Sequence, residues 1–207
     1  MKKSMTTPQK PTAEKIMDVA EELFAQRGFD ATSLGDIADQ VGIRQPGIYK
    51  HFENKRELYI AVMARLFDPV LETLSSLPED AFTPKKAFRF YSQVMVYAAQ
   101  NPNFPRLTQQ AVLAGGWQIR LLVDRWLRPF LERVDKLSEV NKRHWQYPHE
   151  MRLWIFMGYF NIMLAYVTMA PLYRELYGFD LLSEEAVTMQ NKFLRSTLRG
   201  LLRTAKP

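Results

Sequence analysis

The chain has 207 residues, of which 47% are hydrophobic and 24% charged, with a formal net charge of +6 and no cysteine. This balance is typical of a folded globular protein, and the missing cysteine excludes a disulfide framework, a thiolate metal site and a cysteine nucleophile. The net charge alone does not indicate DNA binding, because residues 1–60 contain nine basic and nine acidic residues. We expect a cytoplasmic protein whose residues 1–11 form a flexible basic arm, since no apolar stretch follows the first charged residues.

The N-terminal quarter predicts three short helices. Apolar residues at helical spacing indicate a first helix that ends at Gly28. Ser33 and Asp36 have the spacing of a capping box, which predicts a second helix that ends at Gly42. Pro46 is suited to a first helical turn and predicts the start of a third helix.

The rest of the chain also predicts helices. Asn54 and Glu57 have the spacing of another cap and indicate a long fourth helix. Further helices are predicted from Thr83 to Asn101, over 105–114, over 117–140 with a kink at Pro129, over 148–170 and over 183–204. No segment alternates with a period of two between hairpin turns, so the predicted fold class is all-α.

The segment "VGIRQPGIYKHFENKRELY", residues 41–59, has the features of a helix-turn-helix unit. Such a unit needs a small residue at the helix crossing, a glycine in the turn and an apolar anchor, and Ala38, Gly42 and Ile48 have that spacing. Its outer face would carry polar and basic side chains suited to a DNA groove. An ordinary helical corner with a solvated polar face fits the same pattern, so these residues alone leave both interpretations open.

The stretch "TSLGDIADQVGIRQPGIYKHFENKREL", residues 32–58, resembles the DNA-binding region of the tetracycline-repressor (TetR) family. The shared features are a Thr-Ser pair, Ile-Ala, Val-Gly-Ile, Tyr-Lys-His-Phe and Asn-Lys-Arg-Glu-Leu. The resemblance implies a helix-turn-helix DNA-binding domain of three helices over 12–58, joined by a long helix to a helical regulatory domain over 59–207. It also implies a homodimeric transcriptional regulator, with the expectation of a repressor that a small apolar or aromatic effector releases from its operator.

The same resemblance assigns DNA contacts by position. Phosphates would be held by Thr32 and Ser33 at the start of the second helix, by Tyr49 and His51, and by Lys55. Base edges would face Arg44, Gln45, Gly47 and Lys50 in the third helix, and Pro46 is also expected at the DNA-binding surface. Gly35 departs from members of the family that place a long basic side chain there, and Gly47 removes a side chain from the recognition surface. The operator sequence is therefore left open.

The regulatory domain is rich in aromatic residues and methionine, as ligand cavities often are. The residues expected to line a cavity are Tyr91, Met95, Phe104, Trp117, Trp126, Trp154, Met157, Asn161 and Tyr166. Ordinary core packing is the alternative for each of them. The last two predicted helices, with Phe193, Leu194, Leu198 and Leu201, would form the dimer interface.

Two other classes of function are alternatives to a DNA-binding regulator. An enzyme has little support, because three histidines, no cysteine and no glycine-rich phosphate loop leave few catalytic groups, so we expect no catalytic residue, metal ion or cofactor. A membrane-anchored protein is the second alternative, because residues 153–172 carry no formal charge and are long enough to span a bilayer. Asn161, Thr168 and Pro171 within this run favour a helix buried among others.

Overall fold

The computed structural model of the protein describes residues 11–79, 82–142 and 149–204, so the predicted basic arm falls outside them except for Pro11. Secondary structure in the described residues is helical. The α-helices are α1 (Thr12–Arg27), α2 (Leu34–Val41), α3 (Lys55–Ser75), α4 (Pro84–Gln100), α5 (Asn103–Ala114), α6 (Gly116–Leu122), α7 (Arg128–Val140), α8 (His149–Thr168), α9 (Ala170–Tyr177) and α10 (Glu184–Thr204). A 3-10 helix covers Gln45–Gly47 and a π-helical turn covers Val123–Leu127. The prediction of an all-α fold is confirmed.

The first of two compact units ends at Arg65, within α3. Its core contains the rings of Phe24, Phe29 and Tyr59, whose centroids are 5.2–5.8 Å apart. Arg65 donates to the Asp18 carboxylate at 2.8 Å and to Glu21, which ties α3 to α1. This small core holds the turn between α2 and α3 on its surface.

The second unit begins at Leu66. Here α4 packs against α8 and α10, and α5 packs against α6 and α8. One buried cluster joins Leu74 of α3, Phe82, Phe90 of α4 and Leu137 of α7. Helices of this unit surround an apolar cavity, described below.

Three predicted helices differ from those observed. The third helix is only the 3-10 helix, continued by hydrogen-bonded turns to Phe52. The helix predicted over 117–140 is divided by the π-helical turn into α6 and α7, with Pro129 in the first turn of α7. The helix predicted over 148–170 ends at Thr168, and α9 after it was not predicted from the sequence.

The segment weighed as a membrane span is broken in the structure. No single helix among the described residues is long and apolar enough to cross a bilayer. The helical segments Trp154–Thr168 and Ala170–Tyr177 reach the required length and hydropathy only when they are combined, and the angle between them is 54°.

Candidate nucleic-acid interface and ligand cavity

The second helix of the first unit is fixed at both ends. At its start Ser33 N donates to Asp36 Oδ2 at 2.9 Å, and Asp36 N donates to Ser33 Oγ at 3.0 Å, forming the predicted capping box. Hydrogen bonds from the Ser33 side chain and backbone lower the pKa of Asp36, so the cap keeps its negative charge at neutral pH. At its end Gly42 adopts φ 78°, the left-handed conformation that glycine takes without strain.

The turn that follows α2 is anchored by apolar packing. Ile37, Ala38 and Ile48 are almost completely buried, as the helix-turn-helix interpretation requires. Gly47 lies against Ile43, and a Cβ atom added there would be 3.3 Å from Ile43 Cδ1. The missing side chain at Gly47 therefore has a packing reason, because a larger residue would press on the anchor of the turn.

Most of the predicted DNA contacts lie on the surface of this turn. The exposed residues are Ser33, Arg44, Gln45, Pro46, Tyr49, Lys50 and His51, and we call this set the turn surface. Tyr49 is 51% exposed, and its hydroxyl lies 3.4 Å from the Gln45 amide nitrogen. The exposed tyrosine lies close in sequence to the cations Arg44 and Lys50, the Gln45 amide and the His51 imidazole. This combination of side chains is suited to binding a polar and anionic partner.

Two predicted phosphate contacts point inward instead. Thr32 is 1% exposed, and its hydroxyl donates to Gly28 O at 2.8 Å. The Lys55 ammonium donates to Phe29 O and Thr32 O, both at 2.8 Å, and lies 4.2 Å from the centre of the Phe29 ring. Both side chains stabilise the loop between α1 and α2, so neither presents a free polar group to DNA in this structure.

The second unit encloses an apolar cavity of about 170 Å³. Its walls come from α3, α4, α5, the π-helical turn, α7 and α8. The lining includes Phe67, Val70, Phe82, Phe90, Tyr91, Phe104, Trp126, Phe130, Ser138, Phe156, Tyr159 and Met163. Tyr91 donates to Tyr159 O at 3.0 Å and Trp126 Nε1 donates to Asp68 Oδ1 at 2.6 Å, so both polar groups already have protein partners. Burial raises the pKa of Tyr91, which keeps its hydroxyl neutral.

The structure brings three of the nine expected lining residues to the cavity: Tyr91, Phe104 and Trp126. Met95 is buried away from it, Trp117 is half-buried outside the lining, and Tyr166 donates to Leu181 O at 2.7 Å. Trp154, Met157 and Asn161 are exposed, with Trp154 66% exposed, because the opposite face of α8 supplies the wall. The side of α8 that lines the cavity carries Phe156, Tyr159, Phe160 and Met163. These residues have helical spacing, so the sequence pattern could have identified this side of the helix.

Comparisons with known proteins agree with the architecture of the first unit. Residues 16–62 match the family model described as "Bacterial regulatory proteins, tetR family". The chain is 38% identical over 61 residues to the HTH-type transcriptional activator FasR of Mycolicibacterium smegmatis, covering 30% of this chain and 28% of FasR. It is 32% identical over 124 residues to the HTH-type transcriptional regulator RutR of Escherichia coli K12, covering 59% of this chain and 57% of RutR. The chain thus spans from about a quarter to just over half the length of these relatives.

The whole fold also has a counterpart of known structure. A TetR-family transcriptional regulator from Bordetella parapertussis superimposes with a TM-score of 0.65 at 16% identity, covering 88% of this chain and 93% of that one. This similarity shows that the chain shares the fold of that structure. The family resemblance therefore rests on residues 16–62, and the relatives that match this part of the chain are named as regulators of transcription.

Proposed function

We propose that this protein is a transcriptional regulator that binds double-stranded operator DNA through the turn surface. The observation that carries this proposal is the exposure of Arg44, Gln45, Tyr49, Lys50 and His51 on a turn anchored by the fully buried Ile48. A rigid turn with outward hydrogen-bonding groups can enter a major groove without rearranging its own core.

The roles within the turn surface follow from side-chain chemistry. Arg44 and Lys50 can donate to guanine and Gln45 can pair with adenine, so these three residues would read base edges. Ser33, Tyr49 and His51 would contact phosphates, with the N-terminus of α2 adding backbone amides. Pro46 and Gly47 would set the shape of the turn. Thr32 and Lys55 would act indirectly, by holding the loop that precedes α2.

We further propose that the cavity binds a small-molecule effector that controls DNA binding. Its walls are apolar and its size, about 170 Å³, is close to that of a cavity known to hold one benzene molecule. An effector can release the operator only if it binds more tightly to the conformation that does not bind DNA. Repression relieved by the effector is expected from the family resemblance, and because FasR is named an activator the direction of control needs its own measurement.

The regulator would act as a homodimer in the cytoplasm. The last two predicted helices correspond to α8 and α10. Exposed apolar side chains on α9 and α10, among them Leu176, Tyr177 and Phe193, support an interface that includes α10 and adds α9, which was not predicted. A symmetric dimer would place two turn surfaces on two half-sites of one operator.

Selection of bound sequences from randomised DNA tests the function. We expect two related half-sites in inverted orientation, bound more tightly than scrambled DNA at physiological salt. A reporter gene placed behind the selected sequence then distinguishes repression from activation. Recovery of no consensus, with equal affinity for all sequences, would show that the protein is not a sequence-specific regulator.

A further inference from the structure

A second pocket adjoins the apolar cavity and has a different chemical character. It is a groove of about 310 Å³ formed by the end of α3 and the start of α4. Polar and basic residues line one side of it: Thr73, Ser76, Lys86, Arg89 and Gln93. Phe82 and Phe90 belong to both linings, so two aromatic rings form the wall between the groove and the cavity.

The two pockets differ in charge. No residue of the cavity lining is charged, so an anion buried there would lose its hydration without a compensating partner. The groove carries the cations Lys86 and Arg89, both exposed, and no carboxylate forms an ion pair with either of them among the residues that the structure describes. Charged donors that remain in solvent can bind an anion without the cost of prior burial.

Two sources of negative charge at the end of α3, the last backbone carbonyl groups and the Glu79 carboxylate, have basic partners. Arg133 donates to Ser75 O and Leu77 O, which covers carbonyl groups at the end of α3 that would repel an anion. Arg133 and Lys136 also bind the Glu79 carboxylate at 3.0 Å and 2.6 Å. The groove therefore presents Lys86 and Arg89 without a strong opposing field from these groups.

We infer that the effector is an amphiphile, with an apolar tail in the cavity and an anionic head group held by Lys86 and Arg89 in the groove. This inference rests on the proposed role of the cavity as the effector site. Phe82 lies before the first residue of α4 and is buried in the wall between the two pockets, so its ring would have to turn aside to let the ligand pass. The cavity would select the tail by size, and the groove would select an acid over the corresponding alcohol.

Calorimetric titration with hexyl phosphate, 1-hexanol and inorganic phosphate tests this arrangement. We expect hexyl phosphate to bind roughly tenfold more tightly than hexanol, since each exposed ion pair contributes a factor of a few. Inorganic phosphate alone should bind weakly. The ratio of the hexyl phosphate affinity to the hexanol affinity should fall as salt is raised from 0.05 to 0.5 M, because salt screens charges that are exposed to solvent.

Charge variants locate the head group. Lys86→Gln combined with Arg89→Gln should reduce hexyl phosphate binding to the level of hexanol and leave hexanol binding unchanged. Lys85→Gln is the matched control, because Lys85 is an exposed cation on the same helix that does not line the groove. Ala87→Leu, which fills part of the cavity, should weaken both ligands.

The outcomes separate this inference from the proposed function. If hexanol binds as tightly as hexyl phosphate, or if the double variant leaves hexyl phosphate unaffected, the head-group site is wrong while the apolar effector site stands. If neither compound binds, or Ala87→Leu changes neither affinity, the effector site itself is wrong and the inference falls with it. Selection of operator DNA is independent of all these results.

Discussion

At the scale of single residues, two lysines five positions apart have different surroundings. Lys50 is exposed on the turn surface, whereas Lys55 is partly buried and donates to the carbonyl groups of Phe29 and Thr32. Neither carbonyl lies within a helix. Phe29 O also accepts from Thr32 N at 3.3 Å, so the lysine adds a second donor to Phe29 O and supplies one to Thr32 O. The same residue type therefore serves the fold at one position and is available for DNA at the other.

Substitution of each lysine by methionine separates these roles. Lys55→Met keeps the aliphatic stem but removes two charged hydrogen bonds, so we expect the free energy of unfolding to fall by about 1–3 kcal/mol. Lys50→Met should leave stability within about 0.5 kcal/mol of the parent. It should instead cost roughly 1–3 kcal/mol of binding at one base position in each half-site. Urea unfolding measures the first effect, and anisotropy titrations with single-base variants of the operator measure the second.

The opposite pattern would restore the direct phosphate contact predicted from the sequence. In that case Lys55→Met would keep its stability, weaken binding to all DNA sequences equally and lower the salt dependence by about one unit of slope. Thermal melting of the two variants without DNA would show which description holds.

The sequence could predict which polar residues of the turn are exposed, because Ala38, Gly42 and Ile48 define the buried side by spacing alone. It could not predict the inward path of Lys55. The partners Phe29 and Thr32 are 26 and 23 residues away, and a backbone acceptor has no signature in the sequence. The burial of Thr32 has no signature in the sequence for the same reason, since its hydroxyl donates to the backbone oxygen of Gly28.

At the scale of helices, the π-helical turn Val123–Leu127 is the feature that sequence patterns missed. Apolar spacing is nearly the same for a continuous α-helix and for one with a single wider turn, so residues 117–140 read as one helix. The wider turn carries Trp126, which lines the cavity and donates to Asp68 of α3 at 2.6 Å. This hydrogen bond ties the wall of the cavity to α3, the helix that also contains residues 55–65 of the first unit.

Removal of the Asp68 acceptor tests this connection. Asp68→Ala leaves the buried indole N–H without a partner, so we expect a loss of about 1–3 kcal/mol in unfolding free energy. Asp68→Asn retains an acceptor oxygen and should lose less. If the bond transmits the effector signal, Asp68→Ala should still bind hexanol but release the operator less completely than the parent. The ratio of operator affinities without and with saturating effector measures the coupling between the two ligands. An equal ratio in the parent, Asp68→Ala and Asp68→Asn would show that this hydrogen bond does not transmit the effector signal.

At the scale of the whole molecule, the described surface of the second unit retains apolar side chains that a monomer would leave in water. Leu176 is 61% exposed and Tyr177 65% exposed on α9, and Phe193 is 60% exposed on α10. Tyr173, Tyr177 and Phe179 also stack in sequence, with ring centroids about 6 Å apart. Helical periodicity predicted α8 and α10. The break after Thr168 that creates α9 was not predicted, although Pro171 in the first turn of α9 is a sequence signal for the start of a helix.

We expect the protein to sediment at twice the mass of one chain, because contact between two copies would remove these side chains from water. Leu176→Lys and Phe193→Lys together should give a monomer with unchanged helical content, since both side chains are exposed and a long cation is tolerated there. Leu113→Lys is the matched control: Leu113 is 82% exposed on α5, outside the proposed interface, and this variant should stay dimeric.

The monomeric variant should bind a single half-site but lose the tighter binding to an operator with two inverted half-sites, because linked half-sites gain affinity only when one molecule contacts both. If the double variant remains a dimer by analytical ultracentrifugation while Leu113→Lys becomes a monomer, the interface lies on α5 and not on α9 and α10.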